Sequence, residues 1–249
     1  MLPPSPTHPD LVAAAHRLRG HVVCCPVIGD LCLPGFVVAS DLRLKAELLQ
    51  PGGSLWFRGA QHWLLRQYGR YKGLVLGGDP AAIAAFARAA RSQRMPTVAV
   101  VPKAPTGALR DVLAACGCAV HIDPAPGAVQ AAVAGGPFVG FAVMPEVEVD
   151  DFALGVATVV QELADELPAD TERRVVAPAR LASAVARGVA LLNLPWLVET
   201  APRDQAPSTI EAIAQALRAQ HRLATSPEGA AALGFAANRA EGTCVLLGV

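Results

Sequence analysis

Cysteine and histidine are the residues that could supply a nucleophile and a base in this chain. Six cysteines stand at 24, 25, 32, 116, 118 and 244. Neither Cys24-Cys25 nor Cys116-Gly117-Cys118 has the two-residue spacer of a zinc or dithiol pair. Reduced cysteines packed as small hydrophobes are therefore expected, and no metal site. The histidines at 8, 16, 21, 62, 121 and 221 are scattered, with no pair at helical metal-ligand spacing. Cys24 or Cys25 with His62 as its base would make a nucleophilic pair; a cysteine packed as a small filler, with a histidine at the surface or satisfied in the core, is the plainer reading. Glu146, Glu148, Asp150 and Asp151 offer carboxylates to a divalent cation. A helix start capped by Asp150 or Asp151, with the other two solvated, accounts for the same residues. Trp56, Phe57 and Trp63 concentrate aromatic surface, which either fills a core or lines a pocket for an apolar or planar ligand.

The elements that must position these groups alternate short β-branched runs with Ala-rich helical stretches. Gly73–Gly77 reads as a buried strand leading into Asp79-Pro80, an N-cap followed by proline at the first helical position. A helix to about Arg94, a strand over Thr97–Val101, a helix from Thr106 to Gly117 and a strand over Ala119–Ile122 follow. These are two successive βαβ units, which make parallel sheet with helices on its faces. A looser stretch runs from Pro124 to Pro145. The rhythm then resumes with helices over 151–167, 178–192, 208–222 and 227–239, and strands over 174–177, 196–199 and 243–247. The first eight residues are expected to be irregular.

The chain of 249 residues is 53% hydrophobic and carries 21 Lys+Arg against 21 Asp+Glu, so no basic face points to nucleic acid. The N-terminus lacks a cationic segment followed by an apolar run, and no apolar stretch is long enough to cross a membrane, so a cytoplasmic protein is expected.

One segment is far more specific than the rest: Leu44-Lys45-Ala46-Glu47-Leu48-Leu49-Gln50-Pro51-Gly52-Gly53-Ser54-Leu55-Trp56-Phe57-Arg58-Gly59-Ala60. It resembles the motif of the fold-type-II pyridoxal-phosphate enzymes, the threonine dehydratase, serine dehydratase and tryptophan synthase β group, which reads L-K-x-E-x-L-Q-P-T-G-S-F-K-x-R-G-A. Pro96 with Val98–Pro102, Cys116–Val120 and Ser226–Leu233 resemble further stretches of the same family. The resemblance implies an α/β, two-lobed protein with parallel sheets flanked by helices, the tryptophan synthase β-like fold. It places a small lobe at residues 40–137 and a large lobe at 1–39 plus 138–249, with the cofactor cleft between them.

The family's chemistry needs a lysine that forms an imine with the cofactor aldehyde. The resemblance puts that lysine at position 56, where this chain has Trp56. It places the family's S-x-G-N-H turn at Gly78-Asp79-Pro80-Ala81-Ala82, with Ala81 where the ring-contacting asparagine belongs. The glycine-rich phosphate loop falls near Ala179-Arg180-Leu181-Ala182, whose side chains block close backbone approach. The ring-nitrogen partner expected after the last strand has no counterpart in Leu247-Gly248-Val249. The implied cleft is thus lined by Cys25, Ser54, Trp56, Arg58, His62, Asp79, Ala81 and Arg180, with no catalytic residue, no cofactor contact and pyridoxal phosphate lost. The expected function is that of an inactive relative, a pseudoenzyme that binds a small molecule or a protein partner, as a homodimer or beside an active relative. A cofactor-independent hydrolase, cyclase or isomerase in the same cleft is the alternative, and a residual pyridoxal-phosphate lyase a weaker one.

Overall fold

The computed structural model describes residues 5–29, 31, 41–167, 172–200, 206–223, 225, 227–237 and 243–246. Two sheets organise it. Strands β1 (Val27–Ile28), β2 (Arg43–Lys45), β7 (Arg173–Ala177), β8 (Trp196–Thr200) and β9 (Thr243–Leu246) form one sheet in the order β1-β2-β9-β7-β8. Only the β1–β2 pairing in it is antiparallel. Strands β3 (Leu74–Leu76), β4 (Thr97–Val101), β5 (Ala119–Ile122) and β6 (Ala142–Val143) form a second, fully parallel sheet in the order β5-β4-β3-β6. β3 reads Leu74-Val75-Leu76 and every residue is buried, as expected for a strand covered on both faces. β2 at 43–45 sits in the first sheet and β6 at 142–143 in the second, so both cross the limits of a lobe drawn at 40–137.

Helix α3 (Pro80–Ser92) starts where its cap predicts: one carboxylate oxygen of Asp79 accepts from the N–H groups of Ala81 and Ala82, at 2.8 and 3.2 Å. Helix α4 (Gly107–Cys116) ends at Gly117, which takes the left-handed conformation at φ +66° that glycine adopts without a Cβ penalty. The stretch read as loose between 124 and 145 holds a helix, α5 (Ala128–Ala134), besides β6. Helix α1 (His8–Leu18) begins inside the segment expected to be irregular. Its start is fixed by Asp10, whose carboxylate accepts from both the backbone N–H and the hydroxyl of Thr7. Helices α7 (Ala182–Leu191), α8 (Pro207–His221) and α9 (Pro227–Ala237) cover the first sheet, and the last expected strand residue, Leu247, lies outside the described residues.

The structure turns on two long helices, α2 (Trp56–Gln67) and α6 (Asp150–Glu166), which lie against each other with α7 on the far side of α6. They approach closely because glycine stands at each contact. A Cβ on Gly59 would fall 2.6 Å from the Phe152 ring. One on Gly188 would fall 2.9 Å from the Ala157 carbonyl oxygen. Around this contact Phe152 stacks on Phe86 at 5.8 Å and meets the Trp56 indole at 5.7 Å, while Trp63 sits edge-on to Phe86 at 6.1 Å. Such ring pairs add about 0.5–1.5 kcal/mol each beyond the area they bury.

Gly155 provides the sharpest test of this packing. Alanine there gains about 1 kcal/mol of helix propensity, but its Cβ would lie 2.6 Å from both the Arg58 carbonyl oxygen and His62 Cβ. Backbone cannot swing aside, and overpacking of this kind costs about 1–3 kcal/mol. Gly155→Ala is therefore expected to lower the urea midpoint despite its better propensity, and an unchanged or raised midpoint would show that the α2–α6 contact is looser than described.

Candidate ligand cleft

In the second sheet the chain runs β3, β4, β5 toward one edge and then returns to place β6 on the other side of β3. Neighbouring strands whose following connections run to opposite sides leave a crevice beyond their C-terminal ends, which is where open parallel sheets hold ligands. A cleft of about 510 Å³ occupies that place. Gly77, Gly78 and Asp79 reach it from the end of β3, and Met144, Glu146 and Glu148 from the end of β6. The first sheet contributes Ala179 and Arg180, just beyond β7, and Trp56 joins the lining from the first residue of α2. The cleft thus lies between the two sheets.

Of the residues expected to line it, Trp56, Asp79 and Arg180 do so. Arg180 donates to Asp79 across the opening at 3.2 Å, so the cap of α3 also carries the ion pair that spans the cleft. Ala82 rather than Ala81 faces the space. Ser54 is buried in the turn before α2. Phe57 and Trp63 pack into the core and leave Trp56 as the one aromatic wall residue of the three. Sequence reasoning missed Met144, Glu146 and Glu148 as wall residues, because β6 is two residues long and carries no legible strand pattern. Asp150 and Asp151 are not caps, since Val149 holds that place; they pair with Arg187 and Arg66 instead. Among the described residues no group of three or more metal-ligating side chains forms, and no helix is long and apolar enough to cross a membrane.

Arg58 is turned away from the cleft into a buried ionic network. Its guanidinium grips Glu47 through Nε at 2.7 Å and Nη2 at 2.9 Å, and Glu162 through Nη1 at 2.7 Å and Nη2 at 2.8 Å. Lys45 Nζ joins it at 3.0 Å from Glu162 and 2.5 Å from Glu166. Gln50 completes the cluster, donating to Glu47 at 3.2 Å and to the Val23 carbonyl at 2.7 Å. Burial disfavours the charge on Lys45 and on Arg58, yet the facing carboxylates outweigh it and hold both cations above their ordinary pKa. The residues that carried the family resemblance at 45, 47, 50 and 58 therefore do structural work.

Cys25 is buried beside this network. Burial, with Glu47 next to it, pushes its thiol up to about 12, the opposite of what a nucleophile requires. His62 is buried on the same face of α2 as Arg58, four residues on, and its ring lies between Arg17 and the Asp151 carbonyl. Arg17 donates to Nε2 at 2.8 Å, which makes Nε2 the acceptor and Nδ1–H the donor to that carbonyl. Burial first, and Arg17 after it, hold the imidazole below its ordinary pKa. No Cys25–His62 pair exists among the described contacts. Among the five described cysteines, all free, Cys24 is exposed and Cys116 half-buried, so the expectation of buried thiols holds for Cys25, Cys118 and Cys244.

The chain has three lysines, Lys45, Lys72 and Lys103. Lys45 is committed to the ionic network, and neither of the others lines the cleft. The cleft residues therefore present no amine for covalent attachment of an aldehyde cofactor.

This architecture is that of the fold-type-II pyridoxal-phosphate enzymes. It superposes on a serine racemase from Dictyostelium discoideum with a TM-score of 0.82 at 15% identity, covering 97% of each chain. A pyridoxal 5'-phosphate-dependent aspartate racemase gives 0.79 at 17% identity, covering 99% of this chain and 97% of that one. A fungal L-serine ammonia-lyase from Rhizomucor miehei gives 0.72 at 16%, covering 92% of this chain and 94% of that one. No protein-family model and no curated protein matches the sequence. The expectation of a chain that has lost its cofactor is corrected by these neighbours: the fold is shared with a pyridoxal 5'-phosphate-dependent enzyme and points toward that cofactor rather than to none.

Two outcomes test the site's frame. Arg58→Met leaves Glu47 buried without its counter-charge and is expected to cost about 3–5 kcal/mol, read from urea unfolding; adding Glu47→Gln should restore part of the loss. For His62 the native state resists a proton that the unfolded chain accepts. Stability is therefore full above pH 6.5 and falls as pH drops from there toward the depressed native value. His62→Gln should flatten that stretch of the pH–stability curve, and an unaltered slope would remove His62 as its source.

Proposed function

We propose that this chain works by binding a small molecule in the cleft between its sheets, without the imine chemistry of the enzymes whose fold it shares. The single observation that carries this reading is Trp56. It stands at the first residue of α2, in the cleft lining, where the resemblance places the imine-forming lysine. An indole forms no imine and accepts no proton, and no other lysine of the chain lines the space. The aspartate racemase among the structural neighbours makes pyridoxal phosphate the first ligand to test. When bound, that cofactor supplies an electron sink for carbanions. What this chain's residues offer it is a non-covalent seat lined by Trp56 and the glycines at 77 and 78.

A cofactor-independent enzyme built on Cys25 and His62 has no support from the geometry, since the thiol is buried and the imidazole is engaged elsewhere.

The purified chain mixed with pyridoxal phosphate and treated with borohydride tests the reading. No stoichiometric phosphopyridoxyl-lysine is expected on peptide mapping, and no turnover of serine, threonine or aspartate. A lysine labelled in proportion to protein, or measurable turnover, overturns it.

A further inference from the structure

The charge and shape of the cleft say what kind of group it receives. Trp56 lines it, with its indole held against Phe152 at a ring-centroid distance of 5.7 Å. The part of the lining that follows β6 carries Glu146 and Glu148. Neither of these side chains has an ion-pair or hydrogen-bond partner among the described residues, whereas Asp150 and Asp151, a few residues on, are both matched by arginines. Among the described residues Arg180 is the one cation in the lining, and it is paired with Asp79.

At the start of α3 the donors that would hold an anion are also spent. The N-terminus of a helix normally offers free N–H groups to a carboxylate or phosphate. At α3 the first residue is Pro80, which has none, and the N–H groups of Ala81 and Ala82 both go to the carboxylate of Asp79. At this helix start the chain has put its own negative charge.

From these features together we infer that the part of the cleft between Trp56 and the Glu146–Glu148 wall receives the flat, positively charged end of an organic amine. Indole faces attract cations through the ring quadrupole. Two carboxylates of the same lining, without a side-chain partner among the described residues, reinforce that attraction. The crevice beyond β3 and β6 is moreover where this sheet topology places ligands.

This inference rests on the cleft being a binding site at all, and the experiment separates the two. Benzylamine and benzoate share a ring and differ in the sign of their charge. Titrated into the full chain and followed by tryptophan fluorescence and calorimetry, benzylamine should bind, and benzoate should bind at least tenfold more weakly. The fluorescence change should vanish in Trp56→Phe, which assigns the signal to this indole rather than to Trp63 or Trp196. Glu146→Gln combined with Glu148→Gln should weaken benzylamine at least tenfold, and added salt should weaken it in the parent chain. Benzoate binding as tightly as benzylamine, with the signal still lost in Trp56→Phe, overturns the amine assignment and keeps the cleft. Absence of binding by both probes overturns the amine assignment, while the pyridoxal phosphate experiment decides the cleft reading.

Discussion

The bidentate grip of Arg58 on Glu47 and Glu162 is the interaction on which the rest of this structure depends. It joins the turn after β2, the helix α2 and the helix α6, segments separated by up to about a hundred residues in the chain. A buried guanidinium is costly unless nearly every N–H finds an acceptor, and here carboxylates on two sides and the Val23 carbonyl supply them. Lys45 extends the same network into β2 and, through Glu166, to the α6 end beside β1. With these segments pinned, α2 is fixed in direction. Its first residue must then emerge at the cleft, and its Arg58–His62 face must turn toward α6.

That geometry explains why a motif can persist where the chemistry associated with it lacks its lysine. Lys45, Glu47, Gln50 and Arg58 are each tied to one another or to the backbone they brace, so changing any one strands a buried charge or amide. Trp56 sits one step outside this lattice and answers to different constraints: the Phe152 ring on one side and the open cleft on the other. Two residues apart in sequence, 56 and 58 belong to different physical problems.

Much of the fold was legible because its boundaries are marked by residues with backbone consequences. Asp79-Pro80, the Pro96 break and Gly117 delimit β3, α3, β4, α4 and β5 to within about two residues. The strand β6 was not legible, since two residues show no period. With it went the change of direction in strand order that positions the cleft, and so the wall carrying Glu146 and Glu148. The family resemblance sets Cys25, Arg58 and His62 beside the cleft. A helix sends residues at 56 and at 58 and 62 to different faces, and which face meets α6 depends on Glu162, a partner no local pattern announces.

The Lys45 side chain is wholly enclosed, 0% exposed, while Lys72 and Lys103 lie on the surface. In the folded chain an acylating reagent therefore meets two side-chain amines and leaves the third untouched for as long as the carboxylates around it stay in register. The reactivity of that single amine is a built-in record of whether β2, α2 and α6 are still assembled, readable without any label added to the protein beforehand.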